Sequence, residues 1–252
     1  MAESLIDIVG VHKSFGPQEV LRGIDLSITP GESIVIIGQS GCGKSVLLKH
    51  LIRLIEPDEG TVRFDGQDIA GFKGRELAEF RRRFGMLFQS AALFDSMTVE
   101  ENVGIGLVEA HRHTHEEVAQ IVEQCLEVVG LSHARQKYPS ELSGGMRKRV
   151  GMARAIAGEP GVLLYDEPTT GLDPITSDMI NDLIVTLNEK LHVTSVAVTH
   201  DMKSAFKIAD RIVMLYQGKV QIDGSPQQIK ETDDPVVRQF IAGSSVGPIQ
   251  VG

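Results

Sequence analysis

Short runs of uninterrupted apolar residues, each followed by polar residues and a helical period, set the rhythm of this chain. Ser33–Ile37, Val162–Tyr165 and Val196–Thr199 lack the polar–apolar alternation of a half-solvated strand. Such runs predict strands buried on both faces, as in a parallel sheet. The first leads through a Gly-rich turn into a predicted helix over about 44–55, with apolar Val46, Leu47, Leu48, Leu51, Ile52 and Ile55. Strand, loop and helix in repetition predict an α/β doubly wound core. Upstream, residues 5–11 and Ile24–Ile28 read as strands joined through Gly16-Pro17, with a turn at Pro30-Gly31. Residues 90–160 change character and predict three helices, at about 98–108, 116–129 and 144–158. In the second of these, Val118, Ile121, Val122, Cys125, Leu126 and Val129 recur at helical spacing before Gly130. Arg211–Tyr216 and Lys219–Ile222 predict a hairpin around Gln217-Gly218, followed by helix at Asp234–Ala242.

Composition narrows the partners. With 42% hydrophobic and 23% charged residues over 252 positions, one compact module with a large core is expected. The formal net charge of −9 argues against a nucleic-acid binder, whose affinity comes from clustered Lys and Arg. Two cysteines, Cys42 and Cys125, are too few for a disulfide framework, and the chemistry described below fits a reducing cytosol. Met1-Ala2-Glu3-Ser4 carries no basic or apolar leader, and no apolar run approaches the roughly 18–20 residues that span a bilayer. If the protein works at a membrane, another chain is expected to cross it.

The chemistry begins at Gly38-Gln39-Ser40-Gly41-Cys42-Gly43-Lys44-Ser45, which fits the phosphate-loop pattern G-x-x-x-x-G-K-S/T. Its glycines let backbone N–H groups close around phosphates, the following helix aims its positive end at them, and Lys44 adds a point charge. The Ser45 hydroxyl is a hard oxygen ligand suited to Mg²⁺. Asp166, ending a buried strand, is the second expected Mg²⁺ element. Its neighbour Glu167 is placed to polarise a water for in-line attack on the γ-phosphate.

Leu142-Ser143-Gly144-Gly145-Met146, lying ahead of Asp166-Glu167, resembles the signature motif of the ABC ATPases. Gln89 after Phe84–Phe88 resembles that family's Q-loop glutamine, Gly171-Leu172-Asp173 its D-loop, and His200 its switch histidine. Phe15 matches the aromatic that stacks on adenine. The resemblance implies a P-loop ABC ATPase fold: a RecA-like parallel-sheet core with an antiparallel β subdomain (about 1–89 and 157–243), a helical subdomain (about 90–156) and a tail (244–252). It implies an ATP hydrolase that dimerises head to tail around two MgATP. Ser143, Gly144 and Gly145 would contact the γ-phosphate held by the opposite subunit. Gln89 would join the metal or attacking-water network, His200 would hydrogen-bond the γ-phosphate, and Asp173 would couple the two sites. Met146 departs from the commoner glutamine at the end of the signature.

A narrower resemblance, to the Mla-type (Mce-associated) phospholipid-transport ATPases, rests on Phe88–Val99, on Met146-Arg147-Lys148-Arg149 and on Asp173-Pro174-Ile175-Thr176. Val237-Arg238-Gln239-Phe240 followed by Gly247-Pro248 adds a fourth match. It implies an MlaE-like permease, a STAS-domain protein and a lipid-binding MCE-type protein as partners, at the cytoplasmic face of the inner membrane. The alternatives are a small-solute (amino-acid or metal) importer, a non-transport ABC ATPase and a P-loop kinase. A kinase has no need of Leu142–Met146. His111, His113 and His115 read as a solvated loop rather than a zinc site, and Arg81-Arg82-Arg83 as a solvated helix face. The uncharged tail, with Val246, Pro248, Ile249 and Val251, is expected to dock on a neighbouring subunit or accessory partner.

Overall fold

The computed structural model describes residues 4–250, which form two compact units. The first takes the chain up to Gly74 and again from Thr194 onward; the second is Arg75–Val193. The first unit opens with β1 (Ile6–Phe15), β2 (Gln18–Ile28), β3 (Ser33–Ile37), α1 (Lys44–Leu51), β4 (Glu59–Phe64) and β5 (Gln67–Asp68). The strands β2-β1-β4-β5 pair in that order as an antiparallel sheet. β1 runs four residues past the predicted strand. Its register with β2 shifts between Ile8 and Val11, so a bulge breaks the alternation on which a sequence reading depends. β4 escapes the apolar pattern because only Val62 and Phe64 are buried in it. α1 stops at Leu51 rather than near residue 55, since Arg53 adopts φ 53° and turns the chain.

The second unit holds α2 (Gly74–Arg82), β6 (Phe84–Leu87), α3 (Val99–Ala110), α4 (His115–Val128), α5 (Gly144–Ile156), β7 (Val162–Asp166) and α6 (Pro174–Leu191). β6 and β7 are parallel neighbours. α3 and α4 open with capping boxes, Thr98 with Glu101 and Thr114 with Glu117. Each satisfies two orphan helix donors and stabilises its helix by roughly 1 kcal/mol. Arg81, Arg82 and Arg83 are exposed at the end of α2, as a solvated face requires, and His111, His113 and His115 are exposed as well.

On its return the chain completes the first unit with β8 (Thr194–Thr199), α7 (Met202–Ile208), β9 (Arg211–Tyr216), β10 (Lys219–Gly224), α8 (Pro226–Glu231) and α9 (Pro235–Ala242). β3 lies between β8 and β9, parallel to both, and β10 pairs antiparallel with β9. Ile34, Val35, Ile36 and Ile37 are buried, which accounts for their unbroken apolar run. The tail folds back onto its own chain. The Gln239 side chain donates to the carbonyls of Ser244 and Ile249 and accepts from the Ile249 amide at 2.6 Å, and Ile249 is buried. Both backbone groups of Ile249 are thereby satisfied without a neighbour, while Val246 stays exposed; Val251 lies outside the described residues. Among the described residues no helix is long and apolar enough to cross a membrane.

Candidate functional site

In the first unit the phosphate loop leaves β3 at Gly38 and re-enters regular structure at α1. Gly43 precedes that helix with φ 103°, a left-handed conformation that disfavours any side chain, and a Cβ there would sit 2.7 Å from Leu21 Cδ2. The loop is therefore pressed against β2. α1 has no side-chain cap and no acidic residue in its first turn. Its leading amides and the positive end of its dipole are left for an anion. The buried Lys44 ammonium donates to the carbonyls of Gly38 at 2.8 Å and Gln39 at 3.0 Å. Main-chain oxygens of the loop thus hold its charge in place. Ser45 and Cys42 are half-buried beside it, and Ser40 and Gly41 are exposed.

The register of β3 on β8 places Ile37 opposite Thr199, so Gly38 and the exposed His200 leave their strands at the same edge. Phe15 ends β1 opposite Gln18. The same hairpin carries Val20 and Leu21, which touch Gly43. Phe15 is 48% exposed, with the Lys13 ammonium 5.7 Å from its ring centroid. One unit therefore gathers the aromatic, the loop and the histidine.

The second unit gathers the carboxylates. Asp166 closes β7 and is buried. Glu167 follows with φ 48°, a conformation strained for a residue with a side chain and typical of functional turns. Its carboxylate accepts from Thr170 Oγ1 at 3.0 Å. β6 pairs with β7 so that Leu87 opposes Tyr165, and the chain leaves both strands at one edge, toward Gln89 and Glu167. Between these two stands Lys148 of α5, buried, donating to the Glu167 carbonyl at 3.0 Å and to the Gln89 carbonyl. Burial pushes its ammonium down to about 8, against the opposing pull of the Asp166 and Glu167 charges.

Ser143 caps α5, accepting from the Met146 amide at 3.3 Å. A Cβ on Gly145 would lie 2.5 Å from Thr176 Cγ2, and one on Gly144 3.3 Å from Leu172 Cδ2. The signature glycines thus have a packing reason as well as a chemical one: they let α5 approach the turn before α6. In that turn Asp173 caps α6, accepting from the amides of Ile175 and Thr176, both at 3.0 Å, and from Thr176 Oγ1. These bonds, those from Thr176 foremost, hold its carboxyl below the usual range. Thr170 was not singled out from sequence, and Lys148 entered only as part of the Met146–Arg149 match, without a role in the site. A lysine in the buried stripe that also contains Gly145 and Met152 was the available signal.

Residues 21–170 match the ABC transporter family. The chain belongs to that family. A probable ribonucleotide transport ATP-binding protein, mkl of Mycobacterium leprae, is 41% identical over 97% of this chain and 70% of its own length. The intermembrane phospholipid transport system ATP-binding protein MlaF of Haemophilus influenzae is 41% identical over 99% of this chain and 95% of its own. A solved dimeric ATP-binding cassette in a post-hydrolysis state, bound to ADP and Pi, superposes with a TM-score of 0.80 at 34% identity, covering 88% of this chain and 98% of that one. The fold is the P-loop ABC ATPase fold, and this ABC ATPase is the ATP-binding, ATP-hydrolysing subunit of a transporter.

Proposed function

We propose that this ABC ATPase drives a separate permease that moves phospholipids, working as a pair of copies at the cytoplasmic face of the inner membrane. The observation that carries the cargo is the match to MlaF, which spans 95% of that relative against 70% of mkl. An MlaE-like permease, a STAS-domain protein and an MCE-type lipid-binding protein are the partners this reading calls for. The segment 90–156, with Gln89 at its hinge, is the surface we assign to the permease. A cleft of about 480 Å³ in the second unit supports that assignment, being lined by apolar Phe84, Met86 and Phe88 and by cationic Arg81, Arg82 and Arg154. Such a lining suits an amphipathic segment bearing acidic side chains. Purification from solubilised membranes tests this reading. Permease chains and phospholipid should co-elute; a periplasmic solute-binding protein eluting in their place would favour the small-solute reading.

In the chemistry we propose, Phe15 stacks on adenine while Gly38, Gln39, Ser40, Gly41, Cys42 and Gly43 surround the phosphates with main-chain donors. Lys44 sets its charge against the β- and γ-phosphate oxygens. Ser45, Gln89 and Asp166 are hard oxygen donors, the set Mg²⁺ takes, and the buried Asp166 carboxylate supplies the negative charge that such an ion would compensate. When bound, Mg²⁺ neutralises phosphate charge. Glu167 takes the proton of the attacking water as its oxygen bonds to the γ-phosphorus and ADP departs. His200 donates to the γ-phosphate, and Ser143, Gly144 and Gly145 of the opposing copy close over it. Asp173 links the two sites, a role added to its capping of α6.

Two measurements address nucleotide placement. Phe15→Ala should weaken ATP affinity by about 1–3 kcal/mol, the scale of base–aromatic stacking, and Phe15→Tyr should restore it. An unchanged dissociation constant in the alanine variant would remove Phe15 from the site. Timed alkylation read by mass spectrometry should modify Cys42 and be blocked there by MgATP. Cys125 should react slowly throughout, because burial pushes its thiol up to about 11 and thiolate is the reactive form. Equal labelling of Cys42 with and without saturating MgATP would contradict the placement of the loop.

A further inference from the structure

Three main-chain carbonyls that follow β6 are held by α5. Lys148 donates to Gln89, and Arg154, further along the same helix, donates to Ala92 at 2.7 Å and Ala91 at 2.6 Å. Ala91 and Ala92 both adopt positive φ, 62° and 47°, so the segment after Gln89 is a tight, constrained turn. Lys148 alone reaches further, to the Glu167 carbonyl at 3.0 Å. The ammonium is buried, and burying a charge is unfavourable unless it is matched by close partners. Its compensation comes from two carbonyls of two different loops and from the charges of Asp166 and Glu167. A methionine would fill the space without those demands, so packing alone does not account for a cation here.

We propose that Lys148 is a positioning residue for ATP hydrolysis, fixing the main chain of Glu167 to that of Gln89 so that the Glu167 carboxylate is aimed at the attacking water. The left-handed backbone of Glu167 makes that aim sensitive to its carbonyl. Rotating the following peptide would swing the carboxylate, and the bonds from Lys148 and Thr170 oppose that rotation. Because the other carbonyl belongs to Gln89, a shift of the Gln89 loop is passed through one ammonium to the carboxylate. This inference rests on the hydrolytic role given above to Glu167.

The test compares Lys148→Met, Lys148→Gln, Lys148→Arg and Glu167→Gln in the full transporter complex, measuring kcat, KM, ATP dissociation constant and melting temperature. Lys148→Met should lower kcat at least tenfold with the ATP dissociation constant within twofold of wild type. Lys148→Arg, which keeps the charge and the donors, should return kcat to within about threefold. If the methionine variant does not fold, the glutamine variant carries the same expectation. A kcat within twofold in the methionine or glutamine variant would overturn the proposal. So would an arginine variant as slow as the methionine one at wild-type melting temperature, or a loss of kcat matched by an equal loss of ATP affinity. Wild-type turnover in Glu167→Gln would overturn the role of Glu167 and this inference with it. A stalled Glu167→Gln beside an active Lys148→Met would remove Lys148 alone.

Discussion

Glu167→Gln should leave ATP bound and slow its hydrolysis about 10²–10⁴-fold, the usual contribution of a general base, or roughly 3–5 kcal/mol of transition-state stabilisation. The amide keeps the shape of the carboxylate and can still accept from Thr170 Oγ1, and the Glu167 carbonyl keeps its bond from Lys148. What is lost is the capacity to take a proton. ATP turnover by the assembled transporter, with nucleotide occupancy measured in parallel, separates loss of chemistry from loss of binding. Turnover within a few-fold of wild type would mean that another group accepts the proton.

Lys44→Ala should act one step earlier and abolish useful nucleotide affinity. Each charge-assisted hydrogen bond contributes about 1.5–3 kcal/mol, so the loss of one phosphate contact weakens binding ~10- to 150-fold and the loss of two by more. The loop loses its internal clamp as well, since the ammonium donates to Gly38 and Gln39. Calorimetric titration with ATP, with a melting curve to verify folding, measures this directly. A dissociation constant within threefold of wild type would place the phosphates elsewhere.

What sequence revealed and what it hid differ in range. The phosphate loop was legible because every part of it is local: a strand buried on both faces, a glycine turn and a helix start within fifteen residues of one another. Asp166 was legible for the same reason, as the polar end of a buried run. Asp173 was read only through its resemblance to the D-loop, and its hydrogen bonds belong to a helix cap. A Pro at the next position and Thr at the third after it are the local signs of that cap. Lys148 was hidden because its partners lie 59 and 19 residues away, and no local pattern announces a buried ammonium between two carbonyls. The tail's contacts with its own chain were hidden for a related reason. An uncharged, apolar end signals burial, but no local pattern announces that the side-chain amide of Gln239 bonds both backbone groups of Ile249.

One assay joins ATP hydrolysis to lipid movement. The complex copurified with this chain, reconstituted into proteoliposomes with a labelled phospholipid, should move the label when ATP is supplied and stop when Glu167→Gln replaces the wild-type subunit. Hydrolysis of ATP by the wild-type complex with no movement of phospholipid would contradict the account.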